Sequence, residues 1–362
     1  MKKLRILSLD GGGIRGIIPA TILKYVEEKI IEITNNPNSR IADFFDIIVG
    51  TSTGGILSCF YLTPNPEQNE NNPSSKFTAE QALEFYSEKG YTIFNASKRK
   101  SWLGLRQIVN ATKYSPQNLE NIFQEKFGEL KMSELIKPCI VTTYDLIKKT
   151  SFFFKNLETE KDKQEFRVKD VARSTSAAPT YFPPAEITNF KSNEKMANID
   201  GGVFANNPTM CAYAECSNST ITEIKNPSAK DMLILSIGTG GGQFGLPDVD
   251  KSGNWGVINW AKSIPEIMMD GSIDTVHYQM KHLFGTLEKQ HKFNYKRVDV
   301  PLDKRDYSKD MADASKGNID KLKKAGQEAL NDALKEKNNE YGLDKFIELL
   351  VGKSNNSKPQ IA

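Results

Sequence analysis

The sequence has few cysteines and histidines, no long apolar run and almost no excess of charge. Its 362 residues include 4 cysteines and 3 histidines, and 48 basic against 45 acidic residues give a net charge of +3. Because this small excess of basic residues creates no strong positive field, we expect no nucleic-acid partner. The cysteines have no C-x-x-C spacing. We therefore expect free, buried thiols, with neither a disulfide framework nor a metal site.

Short apolar stretches also limit where the protein can reside. The most apolar stretch, 47–62, has Gly, Ser and Thr at its middle and is too short for a membrane span. The first ten residues are interrupted by Arg5 and end in Asp10, unlike the apolar core of a secretory signal peptide. We expect a protein that is cytoplasmic or peripheral to a membrane, and leave non-classical secretion as an effector open.

The first sixty residues contain two units of the form strand, glycine turn, helix. Strands at 6–9 and 46–49 precede helices at 17–33 and 53–62. This order is typical of a mostly parallel sheet covered on both faces. One domain over 1–352 and a flexible tail over 353–362 are expected. Further predictions are a loop at 63–78, helices at 79–89 and 116–127 (with Ser115 as N-cap), strands at 140–144, 151–155 and 232–237, and a mainly helical last hundred residues.

The first motif is Asp10-Gly11-Gly12-Gly13-Ile14-Arg15-Gly16, between a predicted strand and a predicted helix. Glycines allow a tight turn and leave N–H groups uncovered at a helix N-terminus, where partial positive charge collects. Such a loop suits a bound phosphate or the oxyanion of a reaction. A nicotinamide or flavin site is an alternative. It predicts an acidic residue about 20 positions later at a strand end, where this sequence has a helix.

The second motif, Gly50-Thr51-Ser52-Thr53-Gly54, has the G-x-S-x-G pattern of a nucleophile elbow. A buried strand precedes it and an apolar helix follows, which is the context that the motif requires. Glycines on both sides relieve crowding around a strained Ser52, and the N–H of Thr53 becomes a candidate oxyanion donor. The alternative is a plain turn that caps a helix.

The third motif, Asp200-Gly201-Gly202, follows a short strand-like segment at 197–199. A serine nucleophile needs a base. The histidines lie in helical or polar segments and have no flanking turn glycines: His277, His282 and His291. Asp200 is therefore the best-placed base, and an α/β-hydrolase-type esterase with a histidine-containing triad stays open.

With the segment 174–184 (STSAAPTYFPP), the three motifs give the sequence a resemblance to patatin-like phospholipases in type, order and approximate spacing. The stretches ILSLDGGGIRGIIPATIL and IADFFDIIVGTSTGG resemble plant patatins almost residue by residue, and the likeness runs from residue 4 to near residue 330. The resemblance implies a three-layer α/β/α fold with a mostly parallel central sheet. It also implies hydrolysis of lipid acyl esters without a metal or cofactor.

By position, the resemblance assigns Ser52 as nucleophile and Asp200 as base. Residues 11–13 (Gly11, Gly12 and Gly13) become the oxyanion loop, which Arg15 is expected to orient. The other motif residues support the turns: Asp10, Gly16, Gly50, Gly54, Gly201 and Gly202. Plant patatins carry a secretion signal, whereas this sequence starts directly at the first strand, so vacuolar or extracellular residence is not expected.

The expected function is a lipid acyl hydrolase of the phospholipase A or lysophospholipase type. Its expected partner is a membrane phospholipid or another acyl lipid, and peripheral contact with a membrane is possible. The sequence leaves the oligomeric state open. A non-enzymatic lipid-binding or storage role is disfavoured by the intact serine and aspartate. We expect an acyl trough from 102–109 and the Phe run 152–154. The segment 98–106 is a candidate membrane-docking loop. The helix at 319–336 is expected to pack on the domain through Leu322, Ala325, Ala329 and Leu334.

Overall fold

A computed structural model describes residues 3–67, 73–94, 112–157, 163–218, 221, 223–241, 256–301, 304–335 and 342–352. The expected flexible tail over 353–362 lies outside these residues. A single domain over 1–352 stays a prediction.

The described residues contain one eight-stranded sheet in the order β5-β6-β3-β2-β1-β7-β8, with β4 paired to β3. The central strands β3, β2, β1, β7 and β8 run parallel to one another. Antiparallel pairs join β3 to β4, β3 to β6, and β5 to β6. The strands are β1 (Leu4–Leu9), β2 (Ile47–Thr51), β3 (Cys139–Asp145), β4 (Thr150–Lys155), β5 (Ala185–Asn189), β6 (Glu194–Asp200), β7 (Met232–Ile237) and β8 (Tyr295–Val298).

Helices cover both faces of this sheet. Alternate residues of β1 point to opposite faces, so Leu7 and Leu9 join one buried cluster while Leu4 and Ile6 join another. The first cluster includes residues of α1, α3, α4, α5, α6, α10 and α11, and the second includes residues of α8 and α9. The mostly parallel sheet and the α/β/α layers are confirmed.

The helices agree with most of the sequence predictions and differ at their ends. They are α1 (Ile17–Thr34), α2 (Ile41–Phe44), α3 (Thr53–Leu62), α4 (Ala79–Ile93), α5 (Gln117–Phe127), α6 (Val168–Thr175), α7 (Gly202–Ala205), α8 (Thr209–Ser217), α9 (Val257–Gly285), α10 (Lys316–Lys335) and α11 (Leu343–Val351). Helix α5 begins at Gln117 rather than Pro116, because Pro116 serves as its N-cap and accepts the N–H of Glu120 through its carbonyl. Helix α4 continues to Ile93, four residues beyond the predicted end.

The helix predicted at 319–336 to pack on the domain is α10, and it packs against α1, with Leu334 only partly buried. Leu322, Ala325 and Ala329 are buried. The two helices approach so closely at Gly326 that an added Cβ would lie 2.9 Å from Cβ of Thr21. The apolar face of α10 is therefore part of the core.

Two strands meet end to end at one edge of β3. Strand β4 pairs with β3 along 140–145, so β2 and β6 must share the other edge. The pairing with β2 ends at Thr51 opposite Thr142, and the pairing with β6 ends at Asp200 opposite Thr143. This topology brings Asp200 beside Ser52, which follows Thr51 directly.

Candidate active site

Ser52 occupies a strained turn between β2 and α3. Its φ of 52° and ψ of −121° lie in a region that few residues other than glycine adopt. The turn is too tight for side chains at its flanks. An added Cβ at Gly50 would lie 2.2 Å from the carbonyl oxygen of Gly54, and one at Gly54 would lie 2.1 Å from that of Leu9. The two glycines of the G-x-S-x-G motif are thus required by contact with backbone.

A pair of threonines holds this turn in place. The N–H of Ser52 donates to Oγ1 of Thr175 at 2.8 Å, and that hydroxyl donates to the carbonyl of Thr142 at 2.7 Å. Thr175 ends α6, and Thr142 belongs to β3. The strained backbone at Ser52 is therefore anchored to the sheet through a buried side chain.

The hydroxyl of Ser52 donates a hydrogen bond of 2.6 Å to Oδ2 of Asp200. The second carboxylate oxygen, Oδ1, accepts the N–H of Gly202 at 2.7 Å. Both side chains are largely withdrawn from solvent, with 7% and 1% of the residue exposed. The two residues are 148 positions apart in the sequence and in direct contact in the fold.

Burial raises the pKa of Asp200 to about 7, although the hydrogen bonds from Ser52 and Gly202 oppose this rise. No cation is among the groups that shift this pKa. A carboxyl group in such an environment ionises near neutral pH, which suits a general base.

All three histidines are among the described residues, and each has its recorded contacts elsewhere. The ring of His277 lies 3.2 Å from the hydroxyl of Tyr295, and that of His291 lies 3.4 Å from Nζ of Lys3. His282 packs against Tyr278 on α9. A histidine-containing triad at the serine finds no support in these positions.

The glycine loop at 11–13 lies next to Ser52. Gly11 uses its N–H to bond the carbonyl of Asn206 at 2.9 Å, so this donor is already engaged. Thr239 donates to the carbonyl of Gly11. Gly13 has a φ of 60°, and an added Cβ there would lie 2.3 Å from the carbonyl oxygen of Met311. Within the described residues, the N–H groups of Gly12 and Gly13 have no recorded acceptor.

A buried ion pair fixes the start of this loop. Arg297 on β8 donates to both carboxylate oxygens of Asp10, at 3.0 and 2.6 Å, and also to Asp299 at 2.6 Å. Burial acts to lower the pKa of Arg297, but the charges of the two carboxylates outweigh it and raise that pKa above its usual value. Arg15, which follows the glycines, is buried and donates from Nε to the carbonyl of Gly12 at 3.3 Å. The predicted role of Arg15 in orienting the loop stays a prediction.

An apolar pocket opens beside Ser52. Its empty space, with the adjoining open solvent included, is about 490 Å³. Ser52, Thr53 and Gly13 contribute to its wall. The rest is mainly aromatic and aliphatic: Ile56, Phe85, Tyr86, Ile93, Phe94, Leu119, Tyr181, Phe182 and Met311. The composition suits an acyl chain.

The sequence prediction of the acyl trough was wrong for the Phe run 152–154. These residues form β4, where Phe152 and Phe154 pack on Phe166 and Phe153 packs on Phe204. None of them lines the pocket beside Ser52. Alternation along a strand divides the run between two faces of the sheet, so three consecutive aromatics cannot line one cavity. The segments 98–106 and 102–109, for which the sequence predicted a docking loop and part of the acyl trough, lie outside the described residues.

Several site residues were missed by sequence reasoning. Thr175 lies in the segment 174–184 that carried part of the family resemblance, but its hydroxyl was not singled out. Asn206 follows the third motif closely and holds Gly11 through its carbonyl. Arg297 contacts Asp10 from 287 positions away, so no local pattern could have identified it.

A family model for patatin-like phospholipase matches residues 7–213. A patatin-like protein 2 of Oryza sativa subsp. indica is 32% identical over 91% of this chain and 84% of its own length. The chain belongs to the patatin-like phospholipase family. Family membership supports lipid acyl hydrolase activity in general.

Two further comparisons add detail to this assignment. A protein of Solanum tuberosum named "Probable inactive patatin-3-Kuras 1" is 31% identical over 95% of this chain and 92% of its own length. Membership in the patatin-like family alone therefore leaves activity to be argued from the site. The crystal structure of VipD from Legionella pneumophila covers 91% of this chain and 67% of its own at 10% identity, with a TM-score of 0.33 that is too low for any conclusion.

Among the described residues, no helix has the length and apolar character needed to cross a membrane. The same residues contain no group of three or more His, Cys, Asp or Glu side chains that could hold a metal ion.

Proposed function

We propose that the protein is a phospholipase A or lysophospholipase-type esterase that forms an acyl-enzyme on Ser52 with Asp200 as base. The observation that carries the proposal is the 2.6 Å hydrogen bond from the serine hydroxyl to the buried carboxylate. It gives the nucleophile a base at hydrogen-bonding distance.

In the first half-reaction, Asp200 takes the proton of Ser52 while Oγ attacks the ester carbonyl. A tetrahedral intermediate forms with negative charge on the former carbonyl oxygen. The alcohol then leaves with the proton from Asp200, and the acyl group stays on the serine. In the second half-reaction, water gives a proton to Asp200 as its oxygen attacks the acyl carbonyl. The bond between the acyl carbon and Oγ of Ser52 then breaks, the serine regains the proton from Asp200, and the fatty acid is released.

Three backbone donors fit the role of the oxyanion hole: the N–H groups of Gly12, Gly13 and Thr53. Thr53 lies in the first turn of α3, where N–H groups have no partner within the helix. Removal of one such donor typically costs about 3 kcal/mol of barrier. Because Gly11 already donates to Asn206, we assign it to holding the loop. The proposed steps involve no metal or cofactor.

The test is product analysis on phospholipid and lysophospholipid substrates with the native protein and Ser52→Ala. We expect free fatty acid from the native protein, and a loss of at least about a thousandfold in the variant. A fluorophosphonate probe should label native protein and spare Ser52→Ala. Fatty-acid release at the native rate by Ser52→Ala would overturn the proposal.

The rival triad is tested by replacing all three histidines with alanine. The proposed mechanism predicts that turnover survives in the His277→Ala/His282→Ala/His291→Ala variant, since none of the three touches the serine or its base. A collapse of turnover in a variant that remains folded would favour the triad instead.

A further inference from the structure

Helix α4 contacts both segments that hold the proposed oxyanion donors. An added Cβ at Gly90 of α4 would lie 2.5 Å from Cδ1 of Ile14, which follows the glycine loop. The ring of Tyr86, one turn earlier on α4, lies against Gly16, where an added Cβ would be 2.9 Å from Cζ and 3.0 Å from Cε1. The same added Cβ would lie 2.1 Å from Oγ1 of Thr53. Gly16 therefore leaves the room in which Tyr86 and Thr53 meet.

Two hydrogen bonds join Tyr86 to Thr53. Oγ1 of Thr53 donates to the phenol oxygen, and the phenol O–H donates to the carbonyl oxygen of Thr53 at 3.0 Å. Both residues are buried. Burial raises the pKa of Tyr86, although the hydrogen bond with Thr53 opposes the rise, so the phenol keeps the proton that it donates. One hydroxyl thus engages both the side chain and the carbonyl of Thr53.

The peptide between Ser52 and Thr53 is held from both of its ends. Its N–H belongs to Thr53 and is one of the three proposed oxyanion donors. On the Ser52 side, the strained backbone is anchored by the bond from its N–H to Oγ1 of Thr175. On the Thr53 side, the anchor is Tyr86. A strained conformation persists only where the surrounding structure fixes it, and these two contacts do so here.

The ring of Tyr86 has a second set of contacts that do not depend on its hydroxyl. It forms part of the wall of the pocket beside Ser52. Phe85 packs edge-on against it, with ring centroids 5.1 Å apart. Removal of the hydroxyl alone therefore leaves the aromatic wall of the pocket in place and releases Thr53.

We propose that Tyr86 is a positioning residue of the reaction, whose hydroxyl holds Thr53 so that its N–H points at the developing oxyanion. The proposal rests on the proposed function, because the oxyanion forms only when Ser52 attacks an ester. Oxyanion donors are effective because they are oriented before the reaction, and a donor that must reorient loses part of this advantage. In this role Tyr86 takes up no proton and touches no reacting atom.

Tyr61 provides a matched control within the same core. It lies in α3, is fully buried and belongs to the same apolar cluster as Tyr86. Its hydroxyl has no hydrogen-bond partner among the residues that the structure describes, and it does not line the pocket beside Ser52. Tyr61→Phe therefore removes the same atom from a similar environment without releasing Thr53. We expect its kcat and KM to stay within about twofold of the native values.

The first test is steady-state hydrolysis of a soluble short-chain ester by Tyr86→Phe. Both half-reactions pass through an oxyanion, whereas the bound ester carries none. We therefore expect kcat to fall about tenfold or more, with KM within about twofold of the native value. A residue that only shaped the pocket would change KM and leave kcat near its native value. Urea denaturation checks that the variant is folded under the assay conditions.

The second test uses a trifluoromethyl ketone with the same acyl chain as the ester. The serine adds to this ketone and forms a tetrahedral adduct with a negatively charged oxygen, which resembles the transition state. Its inhibition constant should rise in Tyr86→Phe by about the factor by which kcat/KM falls. Partial unfolding would lower the amount of active protein without changing this constant, so the test separates positioning from stability.

Thr53→Val tests the contact from its other side. The valine keeps the backbone N–H and the shape of the side chain but removes Oγ1, one of the two contacts with Tyr86. We expect a smaller loss of kcat than in Tyr86→Phe. The double variant Thr53→Val/Tyr86→Phe should stay within about twofold of Tyr86→Phe alone, since the second change removes a contact that is already lost.

Three results would overturn the positioning role. The first is a kcat of Tyr86→Phe within about twofold of the native value, and the second is an equal loss in Tyr61→Phe. The third is a double variant whose losses multiply. The two proposals fail in different ways. If the native protein hydrolyses no ester, the proposed function fails and the positioning role fails with it, whereas native turnover with an unchanged kcat in Tyr86→Phe removes the positioning role alone.

Discussion

The molecule contains two Asp-Gly-Gly turns at strand ends, and they do different work. Asp10-Gly11-Gly12 follows β1, and Asp200-Gly201-Gly202 ends β6 and continues into α7. Both carboxylates are buried. Asp10 faces a cation, since Arg297 donates to both of its oxygens. Asp200 faces neutral donors, a hydroxyl and a backbone N–H. The hydrogen-bonding partner, and not the Asp-Gly-Gly sequence, therefore distinguishes the ion-paired carboxylate from the carboxylate of the proposed base.

Burial raises the pKa of both carboxyl groups, and the groups that oppose the rise differ in charge. Burial raises the pKa of Asp10 to about 6, with the charge of Arg297 opposing it. Burial raises the pKa of Asp200 to about 7, with only neutral hydrogen bonds opposing it. An ionised carboxylate without a cation destabilises the folded state and is a better proton acceptor for the same reason. The proposed base is therefore the carboxylate whose charge contributes less to the stability of the fold.

The largest expected effect is the loss of turnover in Asp200→Asn. Ester hydrolysis should fall by at least about a thousandfold, because the amide cannot accept the serine proton. The free energy of unfolding at pH 8 should stay equal or rise by about 1–3 kcal/mol, because the variant buries no charge. Steady-state kinetics and urea denaturation measure the two quantities.

The same change at the other turn should do the reverse. Asp10→Asn leaves the buried Arg297 with Asp299 as its remaining carboxylate partner, so we expect a loss of about 3 kcal/mol of stability. Turnover per folded molecule should fall far less than in Asp200→Asn. Similar losses of stability in the two variants would remove the distinction between the turns.

Removal of the cation tests the same ion pair from its other side. Arg297→Met leaves Asp10 buried beside Asp299 with no positive charge between them. We expect a loss of about 3–5 kcal/mol in the free energy of unfolding, measured by urea denaturation. The double variant Asp10→Asn/Arg297→Met should lose clearly less than the sum of the single losses, since each change removes the other's unpaired charge. Strict additivity would mean that the ion pair is not the source of the effect.

The pH dependence separates the two carboxylates without mutation of either. Since Asp200 must be ionised to act as base and burial raises its pKa to about 7, kcat/KM on a soluble ester should fall as pH drops below that value. The expected slope approaches about tenfold per pH unit. A profile that stays flat down to pH 5 would contradict Asp200 as the base.

Stability should move in the opposite direction over the same range. A carboxyl group whose pKa is higher in the folded state than in the unfolded state, where it is about 4, binds more protons when folded between these two values. The contribution of Asp200 is therefore present at low pH and lost as pH rises toward 7. The excess stability of Asp200→Asn over the native protein should accordingly grow from pH 5 to pH 8, which thermal unfolding at several pH values measures.

Sequence reasoning predicted the residues whose role depends on local backbone geometry. The elbow at Ser52 needs glycines at fixed offsets, and Gly50 and Gly54 provide them because any side chain there would meet backbone. The first sheet strands and their helices were predicted for the same reason, since alternation and glycine turns are local patterns. Asp200 could be predicted only together with the other two motifs, because an Asp-Gly-Gly turn by itself does not indicate a base.

Residues that act across the fold were not predictable in this way. Thr175 anchors the elbow from α6, and Arg297 pairs with Asp10 from the far strand β8. Their roles depend on which strands become neighbours, and the sequence does not state strand order. The prediction of the acyl pocket from the Phe run 152–154 was wrong for a related reason. The aromatic side chains that line the pocket come from separated segments such as α4 and 181–182.

The smallest expected effect distinguishes the two glycines that follow Asp200. An added Cβ at Gly201 would lie 2.1 Å from Oγ1 of Thr142 and 2.6 Å from its carbonyl oxygen, which belongs to the backbone of β3. At Gly202 the nearest atom is Oδ1 of Asn206, at 2.9 Å, the end of a side chain that can move. Gly201→Ala should therefore cost about 1–3 kcal/mol of stability, and Gly202→Ala less than about 1 kcal/mol.

Turnover adds a second measurement to this pair. The added Cβ at Gly202 would also lie 3.1 Å from Oδ1 of Asp200, so the carboxylate must shift slightly to admit it. Gly202→Ala should lower kcat several-fold in a protein of nearly native stability, since small displacements of a base slow proton transfer. If Gly202→Ala unfolds as readily as Gly201→Ala, the Asn206 amide is held as rigidly as the backbone of β3. The turn at Asp200 would then be packed as tightly as the turn at Asp10. In that case the neutral donors around Asp200, and not a difference in packing, would account for the different basicity of the two carboxylates.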